Sequence, residues 1–79
     1  MRVQVKFYAD LKNKYARGNR DGIVELVLKE NSDIKDVFER LGIDDREIGF
    51  IILNEKKVQK DATIADGDLI EIFSFVAGG

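Results

Sequence analysis

The chain has 79 residues, 44% of them hydrophobic and 35% charged, and a net charge of -2. This describes one small globular domain, residues 1–79, that must be held by its core alone. It has no cysteine and no histidine, which excludes a disulfide, a thiolate or iron–sulfur site and a thiol nucleophile, and argues against a zinc site or a hydrolytic triad. The slight acidic balance gives no sign of nucleic acid as a partner. No apolar run approaches the ~20 residues of a membrane span or has the form of a signal peptide, so a cytoplasmic protein is expected. The charge is uneven, with +5 in residues 1–20 and -7 in the remainder. A basic end can dock an acidic partner; a solvated loop is the simpler reading.

Residues 2–8 alternate strictly, with Val3, Val5 and Phe7 on one side and Arg2, Gln4, Lys6 and Tyr8 on the other, which predicts a half-buried strand. Residues 9–22 are polar and end in a Gly-Asn-Arg-Asp-Gly turn signal. They read as a long loop with a short helical turn at Leu11 and Tyr15. A second strand follows over 23–28, with Val24, Leu26 and Leu28 on one face.

The clearest helix spans 33–41. Asp33 suits the N-cap, Asp36 the positive end of the helix dipole, and Gly42 the left-handed position after the last turn. Ile34, Val37, Phe38 and Leu41 form one apolar stripe, each residue contributing about 1.5–3 kcal/mol on burial. The carboxylates of 43–48 read as a solvated loop, not a metal site.

A third strand, 49–53, is apolar on both faces: Ile51 and Leu53 fill the core and leave Phe50 and Ile52 facing outward. A turn at Asn54-Glu55 leads to a short strand, 56–58. Asp66-Gly67-Asp68 is a tight turn rather than a metal site. In the last strand, 69–76, Ile70 and Ile72 point inward, which puts Phe73 and Phe75 outside. With Phe50 and Ile52 they make an exposed apolar patch of the kind that marks a partner site.

The chain then runs through Val76 and Ala77 into Gly78 and Gly79. A Gly-Gly end is thin, and its carbonyl carbon is unhindered. It can enter a narrow channel and present an α-carboxylate for reaction. A frayed terminus is the plain alternative. One helix must cover one face of the sheet, which makes the chain an α+β domain.

Five segments in this order resemble the small ubiquitin-like sulfur carriers of the MoaD/ThiS family. They are Val3-Gln4-Val5-Lys6-Phe7-Tyr8-Ala9-Asp10-Leu11-Lys12, the helix from Asp33 to Gly42, Leu53-Asn54-Glu55-Lys56-Lys57-Val58, Asp66-Gly67-Asp68, and Phe75-Val76-Ala77-Gly78-Gly79. The departures are Glu55 where the family often has Gly, Ser74 and Phe75 where MoaD members often have prolines, and Asp33 in place of a capping Thr.

The resemblance implies a β-grasp fold with sheet order 2-1-5-3-4, one main helix across one face, and a flexible tail, 76–79. It implies that an E1-like enzyme of MoeB/ThiF type uses ATP to adenylate the Gly79 carboxylate, which a sulfur donor then converts to a thiocarboxylate. The carrier itself binds no cofactor or metal and has no catalytic residue. Partners dock on Phe50, Ile52, Phe73 and Phe75. The Val-Ala-Gly-Gly end and the long first loop favour a MoaD-like role, donating sulfur in molybdenum cofactor synthesis on a large subunit of molybdopterin synthase (MoaE type). The alternatives are a ThiS-like carrier for thiamine thiazole, a protein modifier joined to lysines through Gly79, and a β-grasp interaction module with an idle tail.

Overall fold

The computed structural model describes residues 1–75. Its elements are β1 (Arg2–Phe7), α1 (Ala9–Tyr15), β2 (Ile23–Val27), α2 (Ile34–Leu41), a 3-10 turn (Asp45–Glu47), β3 (Ile48–Leu53), β4 (Lys56–Val58) and β5 (Leu69–Ser74). The strands form one sheet in the order β2-β1-β5-β3-β4, as expected. β1 and β5 run parallel at its centre, and the other neighbours are antiparallel.

Alternation along the strands builds the inner face: Val3, Val5, Phe7, Leu26, Ile51, Ile70 and Ile72 are all buried. α2 lies over them with Ile34, Val37 and Phe38 buried and Leu41 packed at the edge. Asp33 accepts the Asp36 N–H at 3.1 Å, and Asp36 accepts the Asp33 N–H at 2.8 Å. This reciprocal capping box satisfies two donors that the first helical turn leaves free, so Asp36 does more than meet the dipole. Gly42 takes φ 68°, the left-handed stop that the sequence called for.

The short helical turn expected at Leu11 and Tyr15 within residues 9–22 is present and longer than expected. Two helical turns, α1, occupy Ala9–Tyr15, which gives two α-helices among the described residues. A helix this short has little stability of its own. Packing holds it: Leu11 and Ala16 are buried, and the Tyr15 ring stacks on Phe7 at 5.4 Å. The acidic stretch 43–48 closes as the 3-10 turn, capped by Asp44, which accepts the Arg46 N–H at 2.9 Å.

The last strand stops at Ser74, two residues earlier than expected. Positions 76–79, where the tail was expected, lie outside the described residues. Among the described residues no helix is long and apolar enough to cross a membrane.

Candidate functional site

The outward side of the sheet carries the expected patch, in a more ordered form. The ladder register sets Phe50 opposite Phe73 and Ile52 opposite Glu71. The Phe50 and Phe73 rings stack at 4.5 Å, 8° from parallel, and Tyr8 stacks on the other face of Phe73 at 4.5 Å, 7° from parallel. Neighbouring strands lie about 4.8 Å apart. A stack at this spacing therefore runs across the strands and shows solvent its ring edges. Such a ladder offers no open ring face between its members for a nucleic-acid base.

Tyr8 was not in the expected patch, although its alternation had placed it on this side. The signal was available: once β1 lies beside β5, with Phe7 paired to Ile72, the residue after Phe7 falls next to Phe73. Cations frame the ladder. Lys6 Nζ lies 5.2 Å from the Tyr8 ring centre and Lys57 Nζ 5.8 Å from that of Phe50. The Tyr8 hydroxyl donates to Glu71 Oε2. That bond, with burial and the nearby negative charge behind it, pushes the phenol up to about 12, so it stays a neutral donor. Phe73 and Ile52 are half-buried. Phe75 lies one residue past β5, is 62% exposed, and joins neither ring pair of the stack.

Gly49 shapes the end of this site. The β3–β5 register shifts between Ile48 and Phe50. A Cβ on Gly49 would lie 2.7 Å from the Ser74 carbonyl oxygen and 2.9 Å from the Phe75 nitrogen. Only a residue without a Cβ lets the end of β5 come this close. The isolated glycine in an apolar strand was the sequence signal for such a bulge.

Val76, Ala77, Gly78 and Gly79, the expected reacting end, lie outside the described residues.

The carboxylates left as loop residues have structural partners. Asp44 grips the Arg46 guanidinium at 3.1 and 2.9 Å, which lowers its carboxyl to about 2. Glu47 accepts from Lys14 at 2.7 Å and from the Tyr15 hydroxyl, and both bonds lower its pKa. Asp66 accepts the Arg2 N–H at 2.7 Å, and Asp68 accepts the Ala65 N–H at 2.7 Å. Among the described residues no three potential ligands converge on a metal position. In the basic segment, Lys12, Arg17 and Arg20 border an open concavity of about 340 Å³. Lys14 is engaged by Glu47.

A parallel central strand pair, antiparallel flanks and a capped helix across one face define a ubiquitin-like β-grasp domain. The family model described as Mut7-C ubiquitin matches residues 1–77. The chain belongs to the Mut7-C ubiquitin family.

Three solved structures are similar in fold. A Pyrococcus furiosus protein assigned as molybdopterin converting factor, subunit 1, superposes with a TM-score of 0.70 at 23% identity, over 94% of this chain and 97% of that one. SAMP1 from Haloferax volcanii superposes with a TM-score of 0.76 at 18% identity, over 100% of both chains. The complex of subunits 1 and 2 of molybdopterin-converting factor from Helicobacter pylori 26695 gives a TM-score of 0.64 at 22% identity, over 100% of both chains. A sequence comparison with curated proteins finds no match.

Proposed function

We propose that the chain is a sulfur carrier of MoaD type, a substrate and subunit rather than an enzyme, whose reacting group is the carboxylate of Gly79. The observation that carries this reading is the placement of the aromatic ladder. Phe73, its middle ring, lies on β5, the strand that leads directly into Val76-Ala77-Gly78-Gly79. An enzyme seated on Phe50, Ile52, Phe73 and Phe75 has the tail entering its own active site. The fold shared with the Helicobacter pylori complex of subunits 1 and 2 supports a large subunit of MoaE type as one such partner.

The chemistry needs no side chain of the carrier. A carboxylate with a pKa of about 3.5 is ionised at neutral pH and a poor electrophile. Its oxygen attacks the α-phosphorus of ATP on an E1-like enzyme of MoeB/ThiF type, and pyrophosphate leaves. A sulfur nucleophile then attacks the acyl carbon of the mixed anhydride, and AMP leaves. The sulfur rides on Gly79 as a thiocarboxylate until a pterin precursor takes it.

The test is the intact mass of the protein from its native host. A fraction ending at Gly79 and heavier by one oxygen exchanged for sulfur is the expected result. Function that survives deletion of Gly78 and Gly79, or a native chain that does not end at Gly79, overturns the reading. Adducts joining Gly79 to lysines of other proteins replace it with a modifier.

A further inference from the structure

The two edges of the sheet are built differently. β4 is three residues long and carries Lys56 and Lys57, the short, lysine-bearing form that discourages pairing. β2 is longer, and on its outward face Val27 is 55% exposed. The Phe7 N–H donates to the Gly22 carbonyl at 2.9 Å, and the Leu28 N–H to the Met1 carbonyl at 2.8 Å. In an antiparallel ladder these directions alternate. The backbone groups of Ile23, Glu25 and Val27 therefore point away from β1, to the open edge.

Ile23 is already closed by its own loop: its N–H donates to Asp21 Oδ1 at 3.0 Å, and its carbonyl accepts from Asn19 Nδ2 at 2.7 Å. Among the described residues no strand lies beyond Glu25 and Val27.

We propose that this edge pairs, antiparallel, with the same edge of a second copy of the chain, centred on Val27. In that register Val27 faces Val27 of the second copy across two exchanged backbone hydrogen bonds. Glu25 faces Lys29 of the second copy on one side of the centre, and Lys29 faces Glu25 of the second copy on the other. The exposed apolar side chain thus gains an apolar partner, and each charge an opposite one. Glu25 is held on the outward face by Arg2 Nη1 at 2.6 Å. Centring on Glu25 instead would oppose like charges and require both edge groups of Ile23, which Asp21 and Asn19 occupy, whereas centring on Val27 asks of Lys29 only its N–H, its carbonyl being held by Ser32. The closed Ile23 and the charge order together select one register and one partner.

The pairing buries less than the ~1,200 Å² at which stable complexes begin, so the dimer is weak and exchanges. Val27 pairs with Arg2 at the start of β1, whereas Tyr8 follows its end, so the aromatic ladder stays uncovered. The pairing is independent of the sulfur-carrier reading.

Sedimentation velocity and amide NMR on the full chain, from about 0.05 to 2 mM, test it. The wild type is expected to dimerise with rising concentration, with shifts centred on Glu25, Val27 and Lys29. Lys29→Glu and Glu25→Lys, each alone, are expected to weaken the dimer at least about tenfold, because each opposes like charges at both flanking positions. Mixed with each other, the two variants regain it, because each then supplies the sign that the other lacks. A wild type that is monomeric throughout overturns the proposal. So does a dimer that survives either variant, or a pair of folded variants that do not associate when mixed.

Discussion

Asn54 and Glu55 make the two-residue turn between β3 and β4, and both take positive φ, 48° and 73°. Such turns suit the twist of a hairpin but ask for Asn followed by Gly. Asn54 has compensation: its side chain donates to Asp68 at 2.7 Å and accepts the Leu69 N–H at 2.9 Å. Glu55 is exposed and strained, at a position where the MoaD/ThiS pattern that this sequence resembles often has glycine. Replacing Glu55 with Gly should stabilise the domain by about 0.5–1 kcal/mol, relief of left-handed strain outweighing the entropy of an added glycine. Thermal unfolding should show a rise of a few degrees; an unchanged or lower midpoint would contradict the strain. Tyr8 supplies a second measurement. Its pKa is raised from 10.0 to about 12 in the folded chain. The stability due to its bond with Glu71 is therefore fully present below pH 10 and is lost as pH rises toward 12. Stability curves of Tyr8→Phe should lack that alkaline decline; an identical decline would place its origin elsewhere.

At the scale of elements, β3 and β5 meet most closely where Gly49 faces Ser74 and Phe75. Gly49→Ala forces the end of β5 outward. The expected cost is about 1–3 kcal/mol, as for an overpacked site, read from chemical denaturation, with amide shifts concentrated at 73–75. A neutral substitution would mean that the bulge tolerates a Cβ. The elements with strong periodicity were readable from sequence. α2 carried both its stripe and its caps, and β1 its alternation. α1 was readable only as a short helical turn at Leu11 and Tyr15; its full extent was not, because Leu11, Tyr15 and Ala16 gain their meaning only against Phe7 and the sheet. The early end of β5 was hidden for a similar reason: Phe75 continues an apolar run that the pairing does not use.

Across the whole molecule, the outward face joins three strands that are distant in sequence. The apolar patch was legible as alternation once the strand order was fixed by resemblance. The stacking of its rings and the place of Tyr8 within it were not, since both depend on register. The register also separates two substitutions that look equivalent in sequence. Phe73→Arg removes both stacks, each worth about 0.5–1.5 kcal/mol, so it should weaken folding as well as docking. Ile52→Arg touches neither stack. It should leave the melting curve near that of the wild type while reducing affinity for the proposed E1-like partner at least about tenfold. Unchanged affinity would remove this face from the interaction.

The parallel pairing of β1 with β5 also bears on how the chain comes into being. Gln4 pairs with Leu69 and Phe7 with Ile72, so the middle of the sheet joins segments more than sixty residues apart in the chain. Contacts this far apart in sequence form slowly, after a long loop has closed. A chain still emerging from the ribosome has β1 and β2 but lacks the strand that belongs between β1 and β3. Products stopped before residue 69 therefore cannot complete the sheet and are left open to proteolysis. Synthesis through β5 becomes a condition for the survival of the domain, and the cell accumulates chains that carry the strand preceding residues 76–79.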